Sequence, residues 1–417
     1  MDSVRSSQAG PAGRPGRAGP YHPHRSSFMK REHTPSYENR DDPRIILVLQ
    51  GGGSLGAYHL GVYEALAEKS LHPHWVSGIS IGAFTAAVLA GNRPERRVER
   101  LKEFWREISW PGDWGSSLPV QWRKVANMAS HATSLLFGQP NFFAPRWVSP
   151  LLSTSGSADE LSFYTTHPMR STLRRLVDFE YINSHATRLS LGAARLRDGE
   201  LVFFDNARDQ IGPEHVLASG SLPPAFPPTR INGELYWDGG CVSNTPLNAI
   251  LEDPPDRHTL IFMIDLFDKS GPEPRSMDDV NWRAKSIQYA SRTSHHIAQM
   301  AREHNMSQRL ERERGGAHFS GGARPPRRDI VHLVYKRGAD QTGDSDAEFS
   351  RWSIEERRQA GYRDMKRVLE LAPWKRAPSN DMAPASFSSS GEQAQESDML
   401  VHTADSESQE ITSHLHL

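Results

Sequence analysis

Cysteine is almost missing from this chain, since only Cys241 occurs among its 417 residues. A single cysteine cannot form an internal disulfide. We predict that Cys241 serves packing rather than chemistry, although it adjoins an Asp-Gly-Gly turn. Net charge is also small, with a formal value of −1, and it therefore gives no global reason to expect nucleic acid as a partner.

Long apolar runs are missing as well. The chain nowhere holds the roughly 18 consecutive apolar residues that a membrane-spanning helix needs, and its start lacks the apolar core of a signal peptide. These absences predict a soluble, cytoplasmic protein. Peripheral contact with an anionic membrane is an alternative, because basic residues dominate the start of the chain. They are Arg5, Arg14, Arg17, Arg25, Lys30 and Arg31.

Polar composition is concentrated at the two ends of the chain, which divides it into four segments. Residues 1–43 are rich in Arg, Pro, Gly, Ser and His, whereas residues 375–417 are rich in Ser, Glu, Gln and Ala. Both ends are expected to be disordered tails. Between them we predict a catalytic domain over residues 44–250 and a C-terminal extension over 251–374, which completes that domain or packs on it.

The most informative motif is the G-x-S-x-G sequence at residues 78–82. A short strand is predicted before it and an apolar helix after it, which is the order of a nucleophile elbow. Gly78 and Gly82 tolerate the strained turn and leave the hydroxyl of Ser80 exposed at a helix N-terminus. The motif also occurs by chance in close-packed turns, so its interpretation depends on the rest of the chain.

A second glycine motif lies upstream, where Gly51, Gly52, Gly53 and Gly56 follow a buried strand over residues 44–50. A helix is predicted next, so the loop amides lie at its positive end and are suited to bind an anion. That anion is either a nucleotide phosphate or the oxyanion of an acyl-transfer intermediate. The loop lacks the Gly-Lys-Ser/Thr ending of a phosphate-binding loop and the acidic partner of a dinucleotide-binding loop, which favours the oxyanion.

The third motif is Asp238, which ends a half-buried strand and precedes Gly239 and Gly240. Asp-Gly-Gly is a common turn, but these glycines also let neighbouring backbone come close to a carboxylate. The surrounding chain favours a catalytic role, because a small-residue segment with prolines over 218–228 precedes the strand. We therefore predict Asp238 as the base that activates Ser80.

In this order, the motifs resemble those of the patatin-like phospholipase family over roughly residues 44–250. The resemblance implies a patatin-like three-layer α/β/α sandwich with a mostly parallel central sheet and a nucleophile elbow. It implies an acyl hydrolase that cleaves lipid esters with neither metal nor organic cofactor. The implied site consists of the nucleophile Ser80, the base Asp238, the oxyanion-hole residues Gly51, Gly52 and Gly53, and the supporting glycines Gly56, Gly78, Gly82, Gly239 and Gly240.

The chain departs from the family pattern at Leu55, where the loop usually carries a basic residue. Ester hydrolysis is still expected, whereas a preference for phospholipid is not implied. One alternative is a hydrolase of hydroxyalkanoate polyester or its oligomers on the same dyad. A non-catalytic lipid-binding or scaffolding protein is a second alternative, against which the intact dyad and loop argue. Head group, acyl-chain length and oligomeric state do not follow from the sequence.

A Ser-Asp-His triad is the alternative mechanism, and its histidine would follow Asp238 in chain order. None of the later candidates lies among the small residues expected of such a loop, so each is predicted to be solvated or structural. The candidates are His258, His295, His296 and His332. The adjacent residues His295 and His296 point to different helix faces, and His72-Pro73-His74 has no carboxylate cluster at ligand spacing beside it. No metal site is therefore predicted.

Aromatic residues crowd the stretch between Phe104 and Trp147, where they suit either a lid or acyl-chain wall over the site or an ordinary core. These aromatics are Trp105, Trp110, Trp114, Trp122, Phe137, Phe142, Phe143 and Trp147. Further along we predict a hairpin over 189–204, a buried strand over 260–266, a polar helix over 280–314 and a strand over 329–335. A capping box at Ser353 is predicted to open a last helix that ends near Leu371.

Overall fold

A computed structural model describes residues 43–111, 118–147, 150, 157–253, 257–290, 306, 328–338, 341–375 and 386–388. Its strands are β1 (Arg44–Leu49), β2 (Trp75–Ile79), β3 (Ala144–Pro145), β4 (Tyr164–Thr165), β5 (Arg188–Arg195), β6 (Leu201–Asp205), β7 (Thr229–Ile231), β8 (Glu234–Asp238), β9 (Thr259–Asp265), β10 (Arg328–Val334) and β11 (Ser386–Ser388). Its helices are α1 (Ala57–Glu68), α2 (Ile81–Ala90), α3 (Pro94–Glu107), α4 (Val120–Phe137), α5 (His167–Leu176), α6 (Phe179–Asn183), α7 (Pro213–Ser219), α8 (Asn248–Leu251), α9 (277–290) and α10 (Arg351–Leu371).

A mostly parallel sheet forms the centre of the described residues. Its order is β11-β10-β9-β1-β2-β5-β8-β7, and β6 also pairs with β5. The pairs from β11 to β5 are parallel, whereas β6, β8 and β7 add antiparallel pairs at the other end. The central strand β1 is apolar and buried from Ile45 to Leu49, as expected for a parallel strand that is covered on both faces.

Apolar side chains of β1 enter two cores, one on each face of the sheet. Leu47 and Leu49 belong to the larger core, which includes residues of α1, α2, α3 and α10. Ile46 and Val48 point the other way and join Leu247 and Ile250 near α8. The alternation along β1 thus fills a layer above and a layer below the sheet. The predicted three-layer α/β sandwich with a mostly parallel sheet is confirmed.

Strands and helices beyond residue 251 lie in the same sheet and core. β9 runs parallel to β1 over six residue pairs, and β10 continues the sheet beyond β9. Helix α10 crosses α1 at close range, because a Cβ on Gly61 would lie 1.8 Å from Arg358 O. A Cβ on Gly361 would likewise lie 2.1 Å from Tyr58 O. Only glycine at these positions allows the two helix backbones to approach so closely.

The predicted strands and the hairpin of β5 and β6 are confirmed, with small shifts of their ends. The capping box at Ser353 was wrong, because α10 begins at Arg351 and its N-cap is Ser350, whose hydroxyl accepts the Ser353 amide at 3.4 Å. Two serines three residues apart made the start ambiguous in the sequence. The predicted polar helix is described only as far as residue 290, where α9 is helical.

Most residues of both predicted tails lie outside the described residues. Among the helices that the structure describes, none combines the length and apolarity needed to cross a bilayer.

Candidate active site

The register of the sheet brings the three sequence motifs to one edge. The ends of β1 and β2 are paired, so the loops that follow these two strands start at the same level. Ile79 of β2 lies beside Gly192 of β5, and Ala193 of β5 lies beside Asp238 of β8. Ser80 and Asp238 therefore face each other across β5, although they are far apart in the chain.

Ser80 occupies a sharp turn between β2 and α2. Its backbone has φ of 54° and ψ of −127°, a conformation that non-glycine residues rarely adopt, and it is the N-cap of α2. Gly82 packs against the end of β1, where an added Cβ would lie 2.2 Å from Leu49 O. A Cβ on Gly78 would lie 2.3 Å from Gly82 O, so neither glycine has room for a side chain. The turn presents the serine at the positive end of the α2 dipole.

The last residue of α7 and the segment that follows it hold the backbone at both Ser80 and Asp238. The Ser80 amide donates to Ser219 O and to Ser219 Oγ, each at 3.1 Å. Ser219 Oγ in turn donates to Gly192 O at 2.6 Å, and the Asp238 amide donates to Ser221 O at 2.9 Å. Sequence reasoning missed these roles, because small residues in a proline-rich segment were the only local signal.

Asp238 is buried, with 1% of its surface exposed. Its Oδ1 accepts the Gly240 amide at 2.7 Å, whereas Oδ2 has no well-aligned hydrogen bond from the described residues. Burial raises the pKa of Asp238 to about 7, against smaller lowering contributions from the Ser80 hydroxyl and the Gly240 amide. The Ser80 hydroxyl is thus near enough to the carboxylate to lower its pKa, and catalytic hydrogen bonds often align only when a substrate binds.

Asn244 fixes the start of the glycine loop. The side-chain amide of Asn244 donates to Gly51 O at 2.9 Å, and the backbone carbonyl of Asn244 accepts the Gly51 amide at 3.2 Å. The Gly51 amide is therefore already engaged within the protein. Gly53 has φ of 55°, and a Cβ there would lie 2.1 Å from Asp346 O. The loop is thus clamped at one end and packed against backbone at the other.

A cavity of about 190 Å³ opens beside these groups. Gly52, Gly53, Ser80 and Asp238 line one part of it. Most of its other walls are apolar and come from α2, from the β3–β4 region and from the segment after α7. The larger apolar lining residues are Ile81, Phe84, Leu135, Phe142, Phe143, Met169, Leu222, Phe226, Phe267 and Phe349. One reactive edge and an apolar interior suit a molecule that carries a polar group on a hydrocarbon chain.

The aromatic stretch before the β3–β4 region divides into three environments. Phe142 and Phe143 line the cavity, whereas Trp105 is buried in the core. Trp122 and Phe137 are exposed. Trp147 is exposed as well, Trp110 is half-buried, and Trp114 lies outside the described residues. The wall and core interpretations of this stretch therefore each hold for some of its members.

Two of the four histidine candidates lie within the described residues, and neither is part of the cavity wall. His258 contacts Asp329 at 3.2 Å and His332 contacts Asp265 at 3.0 Å, and neither histidine lines the cavity. His295 and His296 are outside the described residues. Cys241 is exposed, so its predicted packing role was wrong. The short turn after Asp238 carries its side chain outward rather than into a core. Within the described part of the chain, no three metal-binding side chains form a cluster.

Comparison with known proteins identifies the family. A family model described as patatin-like phospholipase matches residues 47–251, and a second, described as patatin phospholipase, matches residues 287–381. The chain belongs to the patatin-like phospholipase family. The first match ends with α8 and the second includes β10 and α10, so the relationship extends to elements beyond residue 251.

Curated relatives of this patatin-family chain include lipases and lysophospholipases. The chain is 27% identical over 256 residues to lysophospholipase NTE1 of Candida glabrata, covering 58% of this chain and 12% of that protein. It is 28% identical over 203 residues to human patatin-like phospholipase domain-containing protein 6, covering 48% and 12%. It is 48% identical over 67 residues to triacylglycerol lipase SDP1L of Arabidopsis thaliana, covering 16% of this chain and 8% of that protein. The matched segments thus span only a small part of these relatives.

Solved structures give weaker matches to the patatin-family chain. VipD from Legionella pneumophila has a TM-score of 0.32 at 16% identity, covering 79% of this chain and 67% of that chain. Human GIVD cytosolic phospholipase A2 has a TM-score of 0.31 at 13% identity, covering 56% and 47%. Such low TM-scores add nothing to the family assignment.

Proposed function

We propose that this patatin-family protein is a serine acyl hydrolase that cleaves carboxylic esters of lipids. The observation that carries the proposal is that Ser80 and Asp238 line one wall of a cavity whose remaining lining is mostly apolar. Family membership and relatives named as lysophospholipase and triacylglycerol lipase support the same reaction. The chemistry needs neither metal nor organic cofactor.

The first half of the proposed reaction forms an acyl-enzyme. Ser80 Oγ attacks the carbonyl carbon of the ester while its proton passes to the carboxylate of Asp238. The carbon–oxygen bond to the alcohol then breaks, and Asp238 returns the proton to the departing oxygen. In the second half, water attacks the acyl carbon and gives a proton to Asp238. The bond between the acyl carbon and Ser80 Oγ then breaks, the acid leaves, and Asp238 passes the proton to Ser80 Oγ.

Amides of the glycine loop are proposed to stabilise the oxyanion. The Gly51 amide is held by Asn244 O, so Gly52 and Gly53 are the better donors of the three. Both line the cavity next to Ser80. Loss of one such donor typically reduces kcat on the order of 100- to 1,000-fold. Gly51, Gly56, Gly78, Gly82, Gly239 and Gly240 would support the geometry of the turns.

Contact with a membrane surface is a second part of the proposal, and helix α4 supports it. Its exposed apolar residues form a stripe that is spaced every three positions near the start of the helix and includes three consecutive residues at its end. The stripe comprises Trp122, Val125, Met128, Leu135, Leu136 and Phe137. Leu135 and its neighbour Ser134 also line the cavity, so the stripe runs up to the site. Helix α4 contains no acidic residue, which favours binding at a lipid surface.

The proposed reaction is tested with p-nitrophenyl esters of graded chain length, in the presence of a chelator. We expect wild type to hydrolyse them and both Ser80→Ala and Asp238→Asn to lose nearly all activity. Folding of the variants is checked by their thermal unfolding. Activity that survives in Ser80→Ala would refute the mechanism.

The same assay separates the alternatives when natural esters are compared. Preference for phospholipid or for triacylglycerol identifies the head group. Activity only on hydroxyalkanoate oligomers supports the polyester hydrolase. A well-folded wild type without any esterase activity, and without covalent reaction of Ser80 with a fluorophosphonate, supports a lipid-binding or scaffolding protein.

A further inference from the structure

Arg357 of α10 is a buried charge that lies behind two segments of the cavity wall. Its side chain has 0% exposure, and so has that of Glu348, which lies 3.5 Å away. Nη1 donates to Ser54 Oγ at 2.8 Å and to Glu348 O at 2.9 Å, and Nη2 donates to Ser345 O at 3.0 Å. A guanidinium is costly to bury unless such contacts satisfy it. Here Nη1 and Nη2 are directed at specific acceptors, whereas Nε has no hydrogen-bond partner among the described residues.

These contacts join two backbone segments that both reach the cavity. One is the glycine loop, to which Ser54 belongs, and the other is residues 345–349, here called the 345–349 loop. Ser54 Oγ donates to Ser345 O at 2.7 Å, next to the arginine. One residue earlier, Gly53 lies so close to Asp346 O that it has no room for a Cβ. Gly53 and Asp346 both line the cavity.

The 345–349 loop is itself ordered around the same ion pair. Glu348 Oε1 accepts the Ser350 amide at 2.7 Å, just before α10 begins. Ser345 Oγ donates to Thr342 O at 2.7 Å at the other end of the loop. Arg357 thus donates hydrogen bonds to backbone carbonyls of the 345–349 loop and to Ser54 of the glycine loop.

We propose that Arg357 is a positioning residue for the oxyanion hole. Its planar guanidinium holds Ser54 against the 345–349 loop and thereby keeps the amides of Gly52 and Gly53 directed at the oxyanion. Arginine suits this role because its several donors have a fixed geometry, which lysine lacks. This inference rests on the proposed function for its kinetic consequence, whereas the loop contact exists independently of it.

The test compares Arg357→Met, Arg357→Lys and Ser54→Ala with a matched control at a second buried arginine. Arg97 is 2% exposed and donates to Asn92 O at 2.9 Å and to Thr187 Oγ1 at 2.8 Å, with no hydrogen bond to the glycine loop. Each variant is assayed for kcat and KM on a soluble p-nitrophenyl ester across pH. Hydrogen exchange of a peptide over residues 50–56 reports the loop directly.

For Arg357→Met we expect kcat to fall about 100-fold, the loss typical of a small misplacement of catalytic groups, with KM within about threefold of wild type. The pH midpoint should stay near 7, because the carboxylate of Asp238 is untouched. Exchange over 50–56 should accelerate in Arg357→Met, less so in Arg357→Lys, and not in Arg97→Met. Ser54→Ala should also lower kcat. It takes the place of Arg357→Met in the test if Arg357→Met does not fold.

The proposal is overturned if Arg357→Met or Ser54→Ala keeps the kcat and loop exchange of wild type. It is overturned equally if Arg97→Met loses kcat and loosens the loop to the same extent, because the effect is then general destabilisation. A wild type without esterase activity refutes the proposed function instead. In that case loop exchange in Arg357→Met decides whether the arginine holds the loop.

Discussion

At the scale of single residues, the environment of Asp238 determines how the proposed chemistry responds to pH. Its pKa is raised to about 7 because its carboxylate is buried. A carboxylate with an ordinary pKa is a weak base, and burial therefore improves its match to neutral pH.

We expect kcat/KM to rise with pH and to reach half its maximum near pH 7, because only the ionised carboxylate accepts the proton of Ser80. A pH series with a soluble ester measures this midpoint. A profile that is flat between pH 5 and 8 would show that Asp238 does not titrate as the base in this range.

The same residue links pH to stability with a defined sign. The folded pKa of about 7 lies above the unfolded value of roughly 3.9, so between these values the folded protein binds more protons. The stability contributed by protonated Asp238 is full below the unfolded pKa and is lost as pH rises through about 7.

Asp238→Asn mimics the protonated form, and we therefore expect it to match wild type in Tm at low pH and to exceed wild type by several degrees at pH 9. Thermal unfolding at both pH values measures the difference in Tm between the variant and wild type. This difference should be large at pH 9, because each unit of pKa shift corresponds to about 1.36 kcal/mol of stability. Equal Tm values of wild type and Asp238→Asn at pH 9 would contradict a buried, ionised carboxylate at position 238.

Gly53 provides a second prediction at this scale, with Gly199 as a matched control. Both have positive φ, but Gly199 has nothing within 4 Å of an added Cβ, whereas Gly53 faces Asp346 O at 2.1 Å. Gly199→Ala should cost only the ~1–2 kcal/mol of a left-handed conformation and leave activity unchanged. Gly53→Ala should lose at least 100-fold in kcat, on the order expected for a lost oxyanion donor. Comparable activity in the two variants would exclude the Gly53 contact as a determinant of the loop.

Sequence motifs located Ser80, Asp238 and the glycine loop, because strand-to-helix turns have local signatures. They did not locate Ser219, Asn244 or Arg357. Asn244 bonds to Gly51 across 193 positions and Arg357 bonds to Ser54 across 303. Such partners follow from tertiary structure, and no local pattern in the chain distinguishes them from other polar residues.

At the scale of elements, α4 connects the cavity to a proposed lipid surface. Trp122→Gln and Leu136→Gln remove exposed apolar area, and neither residue lines the cavity. We expect each substitution to lower partition into phospholipid vesicles about tenfold, since burying a large apolar side chain contributes about 1.5–3 kcal/mol.

Activity on a soluble substrate is the control. Each variant should hydrolyse p-nitrophenyl acetate within about twofold of the wild-type rate, because this ester does not require binding to a membrane. Vesicle sedimentation measures partition for the same preparations. Unchanged partition in a double variant would remove α4 from the membrane proposal.

Element types were predicted more securely than their ends. Buried apolar runs identified β1 and β9, and alternation around Asp198-Gly199 identified the hairpin of β5 and β6. The start of α10 was missed, because a helix N-cap depends on which serine the backbone turns around.

At the scale of the whole molecule, the sandwich was predicted from the resemblance to the patatin-like family, but the order of strands in the sheet did not follow from that resemblance. β1 pairs with β2 nearby and with β9 more than 200 residues later, as the pairing of Arg44 with Thr259 shows. Parallel pairing of distant strands leaves no periodic signature beyond burial.

A chain that ends at Leu251 should not fold, because it lacks β9, β10 and α10 and so exposes the edge of β1. A chain that ends at Lys375 keeps these elements and should retain the Tm of the full chain within a few degrees. Solubility, thermal unfolding and fluorophosphonate labelling of Ser80 compare the two. A soluble, cooperatively unfolding and labelled chain ending at Leu251 would contradict this dependence.

The position of β1 between an early and a late strand also has a consequence for synthesis on the ribosome. The glycine loop and Ser80 emerge first, but the strand that flanks β1 emerges some 200 residues afterwards. Contacts of such long sequence separation form slowly and close large loops. We therefore expect a nascent chain from which β9 has not yet emerged to lack esterase activity, because the sheet that carries the reactive centre is still incomplete.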